Sequence, residues 1–338
     1  MTKDVRTQVP APQGSIPYSS ENRALGVLVG FDGSQHATLA LHYAARAAQR
    51  LDAPLTVVSA YTVPVGVYST LASLPDMDEA RIKKQMTEGT LDGAREYLKD
   101  YPGQVSYRAE GGDAAGVLVE LSEQARLVVV GARGRGGFLG RLLGSVASAL
   151  PAHAKAPTVV VPRHYRLPEA EGPERFAPTV SEQPVAVGID GSEESRIAAL
   201  QAAQAATDRG VALRLIVALP PIDGALLWYP ELAPRGAEVG EIRKRELSRT
   251  LSAEAEWISR HFPELTIEET VEVGEPTGLL TAASRTSQLT VVGTRGRGGV
   301  ASALLGSVSR NVLYNAEGPV MVVPKLEDPR LEDQPVGW

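Results

Sequence analysis

The spacing Gly131-x-x-Gly134, nine further residues, then Gly144-Ser145 suits a loop that holds phosphate. It recurs as Gly293-x-x-Gly296, nine residues, Gly306-Ser307. Glycines let backbone come close to an anion and adopt positive φ. Successive backbone N–H groups then form a concave anion nest. Where a helix begins, Gly144-Ser145 and Gly306-Ser307 bring free helix N–H groups and the positive end of the helix dipole to the same phosphates. Each Ser hydroxyl adds a donor. The alternative is a glycine turn that only packs; repetition at a strand end, ahead of a helix, favours phosphate. Residues 127–162 and 289–324 align without gaps at 19 of 36 positions, where composition alone gives about two or three. The chain therefore contains one module twice.

Asp32 and Asp190 each end a short apolar run, in the same Asp-Gly-Ser context. An Asp at a strand's carboxyl end can accept from a ribose hydroxyl or assist a metal. Met once, it would read as a turn residue; met twice, ahead of a phosphate loop, it reads as part of a site. Arg133, Arg135, Arg295 and Arg297 fall inside the loops, placed either to clamp γ-phosphates or simply to be solvated. There is no Walker motif, and Gly296-x-Gly298-x-x-Ala301 imitates a dinucleotide fingerprint after the wrong strand. The five histidines have no metal-ligand spacing, no Ser/His/Asp set is suggested, and nothing nominates a general base.

These residues need strands and helices to position them. Leu25–Asp32 and Val185–Asp190 read as first strands, with Ser34 and Ser192 as N-caps of Ala-rich helices over 35–50 and 193–209. Second strands follow at Leu55–Ala60 and Leu213–Leu219. Variable stretches (62–77 and 220–240) then lead to charged helices over 78–99 and 238–261. Third strands (Val105–Glu110, Thr266–Val273), third helices, fourth strands (Leu127–Val130, Leu289–Val292), the glycine loops, fourth helices and fifth strands (Thr158–Val161, Val320–Val323) complete each copy. Strands alternating with helices, and near-continuous Val runs, predict an α/β protein. It has two tandem doubly wound, Rossmann-like domains, each a five-stranded parallel sheet with helices on both faces. The boundaries are a flexible tail over 1–22, domains over 23–165 and 184–325, an extended, solvated linker over 166–183, and a tail over 326–338.

At 338 residues each copy can bury its own core, and with 43% hydrophobic but 5% aromatic residues that core must rest on Val, Leu, Ile and Ala. The net charge of −6 argues against nonspecific nucleic-acid binding. The lack of cysteine removes disulfides, thiolate metal sites and thiol nucleophiles, and fits a cytoplasmic protein. No apolar run reaches the length of a membrane helix, and the polar N-terminal stretch does not read as a signal peptide.

Strand order, the Asp after the first strand, the glycine loop and the closing Val-Val-Pro strand together resemble the universal stress protein family in its tandem form, over nearly all of residues 24–325. The resemblance implies ATP, with Mg²⁺ carried by the phosphates. It places Asp32 and Asp190 against the nucleotide, and the backbone near Ala60 and Ala218 against adenine. Val130, Gly131, Gly134, Gly144, Ser145 and Val146 would surround ribose and phosphates in the first copy. Val292, Gly293, Gly296, Gly306, Ser307 and Val308 would do so in the second. Where the family often has Asp before the fourth strand, this chain has Arg126 and Gln288. Pro151 in the first copy, opposite Leu313, is positioned to shorten or bend the fourth helix.

The fifth strands would leave unpaired backbone if exposed at a sheet edge. Antiparallel pairing of the two within the chain removes both edges, and the resembled family dimerises through this strand. A further homodimer of whole chains is a second expectation. The leading functional reading is an ATP-binding regulator of stress or dormancy that acts through an unidentified protein partner, with no nucleic acid and no membrane. The alternatives are a slow ATPase or nucleotidyl transferase on the same scaffold, and a structural, chaperone-like dimer indifferent to nucleotide.

Overall fold

The structure is a computed structural model and describes residues 16–17, 23–62, 77–134, 143–167, 169–178, 181–221, 236–297 and 305–335. Most of the N-terminal tail, residues 63–76 and 222–235 of the variable stretches, Arg135, Gly298 and Ala301 lie outside the described residues.

In chain order the strands are β1 (Ile16–Pro17), β2 (Gly26–Gly30), β3 (Leu55–Tyr61), β4 (Val105–Gly111), β5 (Ala125–Gly131), β6 (Thr158–Val161), β7 (Val185–Gly188), β8 (Leu213–Leu219), β9 (Ile267–Val273), β10 (Leu289–Gly293), β11 (Val320–Val323) and β12 (Leu326–Glu327). The α-helices are α1 (Gln35–Arg50), α2 (Met77–Tyr97), α3 (Ala114–Leu121), α4 (Ser145–His153), α5 (Glu193–Thr207), α6 (Gly236–His261), α7 (Pro276–Ala283) and α8 (Ser307–Asn315).

Ten strands form one sheet in the order β4-β3-β2-β5-β6-β11-β10-β7-β8-β9. Within each half every pairing is parallel. The chain winds outward from β2 through β3 to β4, then returns to β5 and β6 on the other side. The reversal between β2 and β5, repeated between β7 and β10, opens a crevice at the strands' carboxyl ends, where open α/β sheets take ligands.

The halves join as the edge argument requires. β6 and β11 pair antiparallel, with Val160 opposite Val320, Val159 opposite Met321 and Thr158 opposite Val322. These side chains are buried. The pairing removes the open edge that each half would have alone.

Small side chains let the helices lie close to the sheet. α1 buries Ala37, Ala40, Ala44, Ala45, Ala47 and Ala48, and α5 buries Ala198, Ala199, Ala202, Ala203, Ala205 and Ala206. They share one core with Val27, Val29, Val185 and Val187. The opposite face holds a second core of Leu118, Leu150, Leu280 and Val312, from α3, α4, α7 and α8. The N-caps are as read: Ser34 Oγ accepts from Ala37 N (3.2 Å) and Ser192 Oγ from Ser195 N (3.1 Å). Pro151 sits inside α4 without shortening it, since α4 and α8 both run nine residues.

The segment read as an extended, solvated linker is packed on the first domain. Residues Gly172–Phe176 form a 3₁₀ turn, and Phe176 is fully buried among His42, Tyr97 and Tyr101. Arg46 Nε donates to Ala177 O at 2.8 Å. Burial of this large aromatic side chain, together with the Arg46 hydrogen bond, offsets part of the backbone freedom that the docked segment loses. The segment after residue 326 docks in the same manner on the second domain. Trp257 Nε1 donates to Asp333 Oδ1 (2.9 Å), and Arg196 Nη1 donates to Gln334 Oε1 (2.8 Å). β12 also pairs with β1, so pieces of both expected tails meet.

Candidate functional site

Each domain has a cleft at its strand-order switch. The first, about 810 Å³, is lined by Asp32, Ala60, Val130, Gly131, Gly134, Gly144, Ser145 and Val146, among others. The second, about 490 Å³, is lined by Asp190, Ala218, Val292, Gly293, Gly296, Gly306, Ser307 and Val308. The sixteen residues that the resemblance places against nucleotide therefore line the two clefts, eight to each. Both volumes lie in the range of small-molecule sites.

Three local features build the polar wall. After β2 and β7 the chain turns through Gly33 (φ +77°) and Gly191 (φ +78°), a conformation other residues rarely adopt. The turn aims the preceding carboxylate inward. Asp32 Oδ1 accepts from Ser34 N at 3.0 Å, and Asp190 Oδ1 accepts from Ser192 N at 3.0 Å and from Ser192 Oγ at 2.6 Å. Asp190 Oδ2 reaches across the crevice and accepts from Arg297 N at 2.9 Å. One carboxylate thus fixes both the helix entry and the glycine loop.

The loop closes on itself at its base, where Gly144 N donates to Ala132 O (2.8 Å) and Gly306 N to Thr294 O (2.7 Å). α4 and α8 then begin. Glycine N-caps offer no side-chain acceptor, and the first helical bonds start at Ser148 N and Arg310 N. The N–H groups of residues 145–147 and 307–309 precede those bonds. These residues line the clefts, and in both helices the first turn presents N–H groups and positive dipole to the crevice. Arg133, Arg295 and Arg297 line the clefts too. Burial first, and then the Arg133 guanidinium, hold the nearby His36 below its ordinary range against the opposing Asp32 carboxylate. At this imidazole the loop arginine outweighs the Asp.

The loop glycines are constrained by the protein's own packing. A Cβ on Gly134 would meet Asp32 Oδ2, and one on Gly296 would meet Asp190 Oδ2, both well inside van der Waals contact. A Cβ on Gly131 would press on His36 O, and one on Gly293 on Glu194 O. These glycines let the loop lie flat on the strand-end carboxylate and the following helix.

Sequence reasoning missed one wall of the first cleft. Lys83, Met86, Thr87 and Thr90 line it from α2, and Arg243 and Leu247 line the second from α6. The spacing 83, 86, 87, 90 places one helix face toward the site. Lys83 Nζ donates to Thr62 O (2.9 Å) at the cleft rim.

With the geometry established, the relatives are informative. The model of the Universal stress protein family matches residues 26–162 and again 182–324. The chain belongs to the universal stress protein family. A universal stress protein of Mycobacterium tuberculosis is 33% identical over 328 residues, covering 92% of this chain and 98% of that protein. One from Mycolicibacterium smegmatis is 35% identical over 307 residues, covering 88% and 96%. Among solved structures, a universal stress protein from Archaeoglobus fulgidus superposes with a TM-score of 0.60 at 18% identity, over 90% of this chain and 99% of that one. That likeness supports the fold alone.

Proposed function

We propose that this universal stress protein binds one ATP in each cleft, with Mg²⁺ carried on the phosphates, and acts in the cytoplasm as a stress- or dormancy-responsive regulator of a protein partner. One observation carries the reading. In both domains a strand-end carboxylate, a glycine loop lying against it and an uncapped helix N-terminus face one cleft at the sheet's switch point. In this reading the strand-end backbone at Ala60 and Ala218 meets adenine, Asp32 and Asp190 meet the ribose, and the loop amides with Ser145 and Ser307 hold the phosphates. Pairing of two whole chains belongs to the same proposal.

Stabilisation by ligand tests it. A ligand that binds only the folded state contributes about 2.7 kcal/mol at a hundred times its Kd, roughly a 5–10 °C rise in melting temperature for domains of this size. Mg·ATP should produce that rise in the purified chain. The arginines lining both clefts keep a weak ATPase as the second reading. Phosphate release in proportion to protein concentration, lost in glycine-loop variants, would favour it. No thermal shift with Mg·ATP would remove both readings in favour of a nucleotide-independent role.

A further inference from the structure

A third cavity, about 830 Å³, lies at the seam between the domains and shares no lining residue with either nucleotide cleft. Its chemistry is unlike the rest of this acidic chain. Among the described residues, five guanidiniums line it, from Arg46, Arg50, Arg166, Arg209 and Arg285, against one carboxylate, Glu317. That carboxylate is already paired with Arg285 at 2.9 Å. Neutral acceptors orient two of the others: Arg46 donates to Ala177 O (2.8 Å), and Arg209 donates to Ala205 O (2.8 Å) and to Tyr43 OH (3.2 Å). Among the described residues, their charge is therefore positioned but not neutralised by an ion pair. Asp208, next to Arg209, accepts from Gln204 and does not line the cavity.

The fold does not require this cluster. Counted from the Asp-Gly-Ser turn, the second-copy residues that correspond to Arg46 and Arg50 are Gln204 and Asp208. Counted from the fifth strand, those that correspond to Tyr165 and Arg166 are Glu327 and Asp328. The second copy builds the same helix and strand with neutral or acidic residues. Bringing like charges together at a half-buried seam costs stability. Burial, then Arg209 and Arg46, push Arg50 down to about 10. The cavity also includes Ser287, whose buried hydroxyl has no hydrogen-bond partner.

We propose that the seam cavity is an anion site for a small oligophosphate, held by Arg46, Arg50 and Arg209 with the Tyr43 hydroxyl as an added donor. Guanidinium forks match phosphate oxygens in pairs, and Tyr43, which accepts from Arg209, keeps its own proton to donate. The ligating residues come from both repeats, so an occupied site bridges the two domains. A free oligophosphate and the phosphate tail of a nucleotide share this chemistry.

Calorimetric titration of inorganic tripolyphosphate into the full chain at low ionic strength tests the site, independently of the clefts. A chain carrying Gly134→Ala and Gly296→Ala should still bind one tripolyphosphate. Arg50→Gln and Arg209→Gln should each weaken that binding at least tenfold, and Arg50→Lys, which keeps charge but loses the fork, by less. Without the anion, Arg50→Gln should melt at or above the parent temperature, because repulsion is relieved. If ATP binds the glycine variant with the same arginine dependence, the source is a nucleotide tail; if only tripolyphosphate binds, it is the free anion. Loss of all binding in the glycine variant, or affinity unchanged by the arginine substitutions, would overturn the proposal. So would a lowered melt in Arg50→Gln and Arg50→Lys with anion affinity intact, since that marks a structural cluster.

Discussion

Asp190 Oδ2 accepts the backbone N–H of Arg297 at 2.9 Å, while its other oxygen holds Ser192 at the start of α5. The carboxylate is therefore a tie between the first strand's end and the phosphate-type loop, as well as a group facing the cleft. Asp190→Asn keeps an acceptor for Ser192 but can set an amide N–H₂ against the Arg297 N–H. A hydrogen bond to a charged group contributes roughly 1.5–3 kcal/mol, so ATP affinity should fall about ten- to a hundredfold. Titration calorimetry beside a thermal melt checks this. A collapsed melt with affinity per folded molecule preserved would make Asp190 a turn residue only.

The seam between the domains should be sensitive to charge. Val160 and Val322 are buried on the paired strands β6 and β11. Val160→Lys combined with Val322→Lys would place two like charges in an apolar interface, a cost on the order of 4 kcal/mol or more. Small-angle scattering should show separated domains, and an apolar dye should bind the exposed face. Unchanged compactness and dye binding would contradict the role given to this contact.

The linker dock should respond to pH through His42. Burial, then Arg46 and Arg175, depress its pKa from 6.5 to about 4 in the folded chain. The unfolded chain takes up the proton first as pH falls, so the stabilisation is full above about pH 6.5 and is lost progressively down to about pH 4. Each pH unit in that window costs about 1.4 kcal/mol. Urea unfolding of the chain should show about 2 kcal/mol less stability at pH 5 than at pH 7 from this group, and His42→Leu should remove that part of the slope. An equal slope in the variant would mean that His42 is not the titrating group.

Phe176 should carry most of the docking of the same segment. It is fully buried against His42, Tyr97 and Tyr101, and Phe→Ala at such a site costs roughly 3–5 kcal/mol. Phe176→Ala should expose residues 169–178 to limited proteolysis while residues 181–335 keep the cleavage pattern of the parent chain. Protease resistance equal to that of the parent chain would show that the aromatic contact is dispensable.

The site's main wall was legible because its parts depend on backbone needs that only particular residues meet. Gly33, Gly191 and the loop glycines are required by φ or by space, and Asp32 and Asp190 recur at one topological position. The repeat also made antiparallel pairing of the fifth strands foreseeable from the edge argument. The α2 wall was harder to read, since Lys83, Met86 and Thr87 belong to a helix read only as charged, with no motif that marks one of its faces. The docked linker was missed because Pro and Glu dominate it, although Phe176 is one of only 4 phenylalanines in the chain and was the available signal. The seam arginines come from positions as distant as 46, 209 and 285, and no local pattern joins them.

Equilibrium dialysis of ATP with Mg²⁺ tests the central claim most directly. In a background carrying Arg50→Gln and Arg209→Gln, which removes any binding at the seam, the account predicts two ATP per chain, one per chain when Gly134→Ala or Gly296→Ala is added alone, and none when both are added. Binding confined to the first cleft would remove the second site, and no binding, or full binding by a correctly folded chain carrying both glycine substitutions, would contradict the account.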